Sequence, residues 1–166
     1  AGGNLEEFYA IGLRAPHTLI CDTATGEIWC GDVGSNLQEE LNRIEWGRNY
    51  EWAVKEGSVL GSEAVPDMVV GEFQEPYFSY GRNSGPSGEA GDHAVICGPV
   101  YRGAALYEQL NGKLIFGDNT SGRIWSLTLA DNPSDREVEL LTLMDGSYFS
   151  GLSRIVADAS GEVYFL

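Results

Sequence analysis

A short motif that occurs three times constrains the fold of this chain more than any other feature. Each copy has a turn residue, a glycine and an apolar stretch, and the copies are residues 25–32 (TGEIWCGD), 111–118 (NGKLIFGD) and 160–165 (SGEVYF). A polar residue followed by glycine marks a tight turn, and the apolar run after it is typical of a strand. The glycines of the second and third copies, Gly112 and Gly161, lie 49 residues apart, which suits a four-stranded propeller blade of about 40–50 residues. The sequence therefore predicts an all-β chain built of four-stranded antiparallel β-propeller blades.

The first two copies are separated by more residues than one blade needs. We therefore expect an insertion in addition to a blade, and we assign it to residues 58–92. Its last part, residues 81–92 (GRNSGPSGEAGD), is too polar and too rich in glycine for a core strand. The prediction is one partial propeller domain over residues 1–166 with a long surface loop, which is either a wall of a ligand site or a disordered excursion.

Three incomplete copies of a blade leave sheet faces and edges open. Either the rest of a longer chain or a second copy of this chain in a homo-oligomer is expected to close the ring. The sequence begins Ala-Gly-Gly-Asn without an initiator Met or a leader pattern, and we interpret it as a processed form or an excised fragment.

Charge and hydropathy exclude several kinds of partner. The chain has 25 acidic and 10 basic residues, for a formal net charge of −15, which repels phosphate backbones and anionic lipid surfaces. No apolar run approaches the roughly 20 residues that cross a bilayer. We expect no nucleic acid and no membrane partner.

Cys21, Cys30 and Cys97 lack metal-ligand spacing. They are either free buried residues or, for the first two, a disulfide across a hairpin.

Several motifs in order along the chain resemble the glucose/sorbosone dehydrogenase family. They are residues 11–17 (IGLRAPH), 27–36 (EIWCGDVGSN), 39–44 (EELNRI), 47–52 (GRNYEW), 98–103 (GPVYRG) and 121–125 (SGRIW). That family includes soluble quinoprotein sugar dehydrogenases and the non-enzymatic propeller of Hedgehog-interacting protein. The resemblance implies a six-bladed propeller, of which this chain is about three blades from the C-terminal part. It also implies a secreted or periplasmic protein.

The resemblance further implies a cofactor site. In the enzymatic members, pyrroloquinoline quinone lies on the propeller axis, held by a calcium ion and by cationic side chains. Three residues match cofactor-binding positions, namely Arg14, Tyr80 and Thr120. Backbone carbonyls of Gly34 and Ser35, with an oxygen of Glu40, match the calcium loop, and oxygen ligands suit this hard cation.

Other positions depart from the enzymatic pattern. Arg14 is followed by Ala15 where the family motif has Asn, which removes a cofactor hydrogen bond, and Thr120 or Ser121 stands where quinoproteins have a lysine. Only Arg154 remains near the place of a paired arginine.

The catalytic base of the family lies in a part of the fold before this chain begins, and His17 and His93 are not at its position. Two functions stay open. The first is a sugar dehydrogenase segment that oxidises an aldose hydroxyl with quinone and calcium. The second is a non-catalytic, calcium-stabilised propeller that binds a protein or glycan partner.

Overall fold

The computed structural model describes residues 8–141, 148 and 151–166. Its short helices are α1 (Tyr107–Leu110) and a 3₁₀ turn (Pro133–Asp135). None of the described helices is long and apolar enough to cross a membrane. The strands are β1 (Pro16–Cys21), β2 (Ile28–Asp32), β3 (Gln38–Ile44), β4 (Arg48–Asn49), β5 (Lys55–Glu56), β6 (Val59–Leu60), β7 (Glu72–Phe73), β8 (Phe78–Gly81), β9 (Val95–Val100), β10 (Leu114–Asp118), β11 (Ile124–Leu127), β12 (Val138–Leu141), β13 (Ile155–Ala157) and β14 (Val163–Phe165).

Two four-stranded antiparallel sheets and a two-stranded sheet follow one another along the chain. The first sheet has the order β1-β2-β3-β8, the second β9-β10-β11-β12, and the third consists of β13 and β14. Strand β1 contacts β9, and β9 contacts β13, so the first strands of successive sheets lie side by side. Sheets that meet along their first strands radiate from a common axis, which is the arrangement of propeller blades. The predicted all-β propeller fold is confirmed.

The repeated motif marks the same place in each sheet. Its apolar parts are β2, β10 and β14, the second strand of each sheet. The glycines before these strands, Gly26, Gly112 and Gly161, have φ of +79°, +79° and +85°. This left-handed backbone is open to glycine at little cost, so each copy turns the chain into the second strand. The repeat in the sequence is therefore a repeat of structure.

The core lies between the sheets in two layers. Between the first and second sheets, Trp29 and Leu41 pack against Phe116 and Trp125, whose rings stack with centroids 5.4 Å apart. Between the second and third sheets the buried residues are Ile96, Tyr101, Leu110, Ile115, Ile124, Leu152 and Ile155. These apolar layers fix the distances between the blades and so position the groups at their ends.

The segment 58–92 differs from the long loop that we expected, because it contains β6, β7 and β8. Strand β8 has a buried Tyr80 and pairs with β3, so it completes the first sheet. The polar part beyond it is tied to β11. The indole nitrogen of Trp125 donates to Ser87 at 2.7 Å, and Arg123 lies 3.1 Å from the buried carboxylate of Asp92.

The three cysteines are free. Cys21 is exposed at the end of β1, whereas Cys30 and Cys97 are buried. In the hairpin, Cys21 lies opposite Ile28 and Cys30 lies opposite Leu19, so the register does not bring the first two cysteines together. A disulfide across this hairpin is not formed.

Candidate functional site

A cleft of about 570 Å³ lies where the three sheets meet, and we call it the axis cleft. Its described lining residues come from the first strands, from the segments before them and from the positions just after β2 and β10, namely Ala15, Pro16, His17, Val33, Ala94, Ile96, Asn119 and Ser153. His17, Asn119 and Ser153 supply polar groups, and the remainder is apolar. A cleft with apolar walls and a few polar groups suits a small ligand.

Two aspartates at matching positions of the repeat build the rim of the axis cleft. Asp32, at the end of β2, accepts the backbone N–H groups of Arg14 at 2.8 Å and of Ala15 at 2.6 Å. Asp118, at the end of β10, accepts the N–H of Ala94 at 2.7 Å. Each carboxylate thus holds the segment that leads into the first strand of its sheet. Burial raises the pKa of Asp32 even though these N–H groups oppose it.

Arg14 lies beside this rim with an exposed side chain. One terminal nitrogen of its guanidinium donates to the carbonyl of Val33 at 3.0 Å. The guanidinium carbon lies 5.4 Å from the centre of the Trp52 ring, close enough for a cation–π contact. Arg14 is therefore next to the axis cleft but is engaged with the turn between β2 and β3 and with Trp52.

That turn, which contains Gly34 and Ser35, directs its N–H groups at a carboxylate. The Oε1 atom of Glu56 accepts the backbone N–H groups of Ser35, Asn36, Leu37 and Gln38 at 2.7 to 3.1 Å. Burial by itself would raise the pKa of Glu56, but these N–H groups outweigh it and hold the pKa below its usual value. The concave side of the turn is thus occupied by an anion of the chain itself.

The carbonyl of Ser35 faces a cation, and that cation is Arg82. One terminal nitrogen of the Arg82 guanidinium donates to the Ser35 carbonyl and the other to the His93 carbonyl. The Nε atom lies 3.0 Å from Oε1 of Glu39, which is fully buried. The second oxygen of Glu39 accepts the N–H of Val95 at 3.1 Å. Arg82 therefore joins the turn, β3 and the loop before β9.

Glu40 lies on the opposite face of β3 from Glu39, because successive side chains of a strand alternate. Its oxygens accept the N–H of Gly57 at 2.5 Å and the side-chain amide of Asn42 at 2.9 Å. Burial raises the pKa of Glu40 to about 7, and the carboxylates of Asp32 and Glu56 add to the shift. Over the described part of the chain, no group of three or more His, Cys, Asp or Glu residues has a metal-binding arrangement.

Tyr80 and Thr120 meet at Asp118, away from this turn. The Tyr80 ring is buried among Phe116, Trp125 and a further aromatic ring, and its hydroxyl lies 3.5 Å from Asp118. Burial raises the pKa of Tyr80 well above its usual value. Thr120 is exposed, and its N–H donates to Asp118 at 2.8 Å. The predicted site residues thus form two groups, one at the turn and one at Asp118.

Sequence reasoning missed three residues that organise the site. Asp118 carries a signal that could have found it, since it ends a copy of the repeat as Asp32 does. Arg82 and Glu56 carry no such sequence signal, because each reaches the turn from a separate segment.

Arg154, which the family resemblance placed near a cofactor position, is exposed, and its backbone N–H is directed at the Leu166 carbonyl.

The radiating sheets and the axis cleft define a β-propeller with a ligand-sized cleft at its axis. The model of the glucose/sorbosone dehydrogenase family matches residues 1–166, and the chain belongs to that family. Among curated proteins, it is 27% identical over 124 residues to the HIPL1 protein of Arabidopsis thaliana and 36% identical over 61 residues to the HIPL2 protein of the same plant. These matches cover 72% and 36% of this chain and 18% and 9% of the relatives.

Solved structures share the fold at low identity. The PQQ-bound aldose sugar dehydrogenase of Streptomyces coelicolor is 18% identical with a TM-score of 0.63, and the match covers 99% of this chain and 41% of the other. The apo form of the soluble aldose sugar dehydrogenase of Escherichia coli is 18% identical with a TM-score of 0.66, covering 99% of this chain and 45% of the other. The chain thus spans less than half the length of these relatives.

The donor groups of this chain do not fit the quinone and calcium that the family implies. Pyrroloquinoline quinone carries several carboxylates and needs cationic partners. Among the described residues that line the axis cleft, His17 alone is titratable, and Arg14 is directed at Val33 and Trp52. The Ser35 carbonyl, expected to face calcium, accepts from Arg82.

Proposed function

We propose that this chain is part of a binding propeller that takes a neutral sugar or glycan in the axis cleft and catalyses no quinone-dependent oxidation. The observation that carries the proposal is the lining of the cleft, where His17 and the side-chain oxygens of Asn119 and Ser153 stand between apolar walls. The side-chain donors of Asn119 and Ser153 are directed at main-chain carbonyls, so these two residues offer acceptors. Neutral hydrogen-bonding groups on an apolar surface suit a sugar, whose hydroxyls need partners and whose C–H faces need apolar contact. The net charge of −15 further disfavours a polyanionic cofactor.

A titration separates sugar binding from cofactor binding. The full chain is titrated with neutral mono- and oligosaccharides, and the heat of binding is measured. A separate titration uses pyrroloquinoline quinone, with and without calcium. We expect a sugar signal and no quinone signal. His17→Ala should weaken sugar binding roughly fivefold, the equivalent of one lost hydrogen bond of about 1 kcal/mol. His93→Ala, outside the cleft lining, is the matched control. Absence of binding by every sugar tested would overturn the proposal.

A second function is favoured by one observation. Arg14 lies beside Ala15 at the rim of the axis cleft, and a related propeller holds PQQ in its solved structure. The second function is oxidation of an aldose hydroxyl with quinone and calcium by a complete propeller, in which parts of the fold outside this chain supply the catalytic base and the cationic partners that the axis cleft lacks. Quinone binding together with aldose-dependent reduction of a redox dye would establish this function and refute the first.

The third sheet supports a further part of the proposal, closure of the ring. With two strands, β13 and β14, it leaves a groove of about 350 Å³ against the second sheet, lined by Leu110, Ile115, Ile124, Leu141 and Val163 among others. Additional strands from a longer chain or from a second copy would cover this apolar surface. Light scattering checks the second source, because a monomer at micromolar concentration rules out closure by homo-oligomerisation. A secreted or periplasmic location, which the family resemblance implies, is checked by fractionation of the source cells.

A further inference from the structure

Arg82 is a largely enclosed cation at the β2–β3 turn, which borders the axis cleft. It follows β8 in the polar stretch that sequence reasoning assigned to a loop, yet its side chain is only 19% exposed. Its guanidinium contacts three oxygen groups, the carbonyls of Ser35 and His93 and the carboxylate of Glu39. These groups come from the β2–β3 turn, the loop before β9, and β3, so Arg82 fastens three segments that are distant in sequence.

The oxygen groups around Arg82 are of the kind that binds a hard metal ion. Two main-chain carbonyls and one carboxylate are typical calcium ligands. A guanidinium contacts the same groups as a planar fork: it donates to the carbonyls of Ser35 and His93, and its Nε atom forms an ion pair with Glu39 whose charge it balances. Because the Glu39 side chain is fully buried, leaving it without a cation would be costly.

We propose that Arg82 is a built-in cation that takes the role of a bound calcium ion at the β2–β3 turn. Its guanidinium fixes the Ser35 carbonyl and the Glu39 carboxylate, and the turn and the adjoining wall of the axis cleft keep their shape without divalent metal. The chain thereby departs from the calcium dependence that its family resemblance implies. This inference does not depend on which ligand occupies the cleft.

Thermal unfolding of the full chain in excess EDTA and in millimolar calcium chloride tests the proposal. The wild type should unfold at the same temperature in both. Arg82→Gln should unfold at a lower temperature in EDTA, and calcium should recover part of the loss because the freed oxygens of Ser35, His93 and Glu39 then bind the ion. Arg136→Gln is the matched control, since Arg136 also donates to carbonyls, those of Tyr77, Ala130 and Asp131. It should lose stability without a calcium response.

The result that overturns the proposal is a calcium-dependent rise in the wild type as large as that in Arg82→Gln. An Arg82→Gln protein as stable as the wild type in EDTA overturns it as well. If Arg82→Gln does not fold, the wild type is titrated with calcium chloride alone, and the NMR amide signals of residues 34–38 are followed. Unmoved signals support the proposal, and saturable shifts refute it. Sugar titrations run in EDTA keep failure of the proposed function distinct from failure of this inference.

Discussion

The Oε1 atom of Glu56 lies 2.7 Å from the backbone nitrogen of Leu37, and the same oxygen accepts three neighbouring N–H groups of the turn. Glu56 reaches this turn from β5, 19 residues further along the chain than Leu37. A partly buried cluster of N–H donors needs an acceptor, and a charged acceptor forms stronger bonds than a neutral one. The carboxylate on one side and Arg82 on the other therefore hold the turn that borders the axis cleft.

Replacing Glu56 by Gln should lower the free energy of unfolding by about 1–3 kcal/mol, because the amide oxygen is a weaker acceptor and its NH₂ group repels the turn donors. Urea denaturation followed by tryptophan fluorescence measures the change. Glu137→Gln is the matched control, since that side chain is exposed and should change stability by less than about 0.5 kcal/mol. Equal effects of the two substitutions would show that the turn does not depend on the Glu56 charge.

Glu40 should make stability fall as pH rises. Its pKa is raised by burial from 4.5 to about 7, so between these values the folded chain binds more protons than the unfolded chain. The stability that Glu40 contributes is therefore full below about pH 4.5 and is lost as pH rises through 7. The loss is about 3 kcal/mol. Unfolding free energies by urea denaturation across this range measure it.

Glu40→Gln isolates this contribution from that of other acids. The amide stands for the protonated carboxyl, and its NH₂ group has an acceptor in Oδ1 of Asn42, which is buried and lacks a hydrogen bond. From pH 5 to pH 8 the wild type should lose stability relative to the variant, because only the wild type has a carboxyl that must ionise at this position. A constant difference across this range would mean that Glu40 titrates normally.

Gly34→Ala should unfold the turn. A Cβ atom at this position would overlap the carbonyl oxygen of Gln38, a backbone atom that cannot move without breaking β3. We expect a loss of at least about 3 kcal/mol by urea denaturation. At Gly26, by contrast, a Cβ meets no atom within 4 Å. Gly26→Ala should cost only about 1 kcal/mol for its left-handed backbone, and a Gly34→Ala protein no less stable than this control would contradict the packing.

Asp92→Asn should release the loop between β8 and β9. Asp92 is buried and lies 3.1 Å from Arg123 of the β10–β11 connection, so the substitution leaves a partly buried guanidinium without its counter-charge. Limited proteolysis should cleave residues 82–92 at least several-fold faster than in the wild type. Asp135→Asn, in an exposed turn, should leave the rate unchanged. Unaltered cleavage in Asp92→Asn would show that other contacts, such as Ser87 with Trp125, are sufficient.

Parts of the fold were predictable because they depend on local order along the chain. The glycine turns and the apolar runs after them specify β2, β10 and β14, and the resemblance extended this to the propeller. Strand β8 was not predicted, because four residues between two polar stretches give too short an alternation to stand out. Its identity as a strand depends on pairing with β3.

The candidate site was less predictable for a related reason. Arg14 and the turn with Gly34 and Ser35 were recognised from motifs and lie beside the axis cleft, whereas Tyr80 lies in the aromatic core. Motifs identify positions, but they do not give the direction of a side chain or the groups that compete for it.

The sequence by itself determined the repeat, the strands that follow its glycines and the excess of negative charge, because each depends on residues near one another or on composition. Only the tertiary structure decided which charges meet. Arg82 contacts the carbonyl of Ser35 across 47 residues of chain, and Arg123 meets Asp92 across 31. These pairs require β8 to pair with β3 and β9 to join the sheet of β11, since burial is what turns a distant charge into the strongest available partner of a carbonyl or carboxylate.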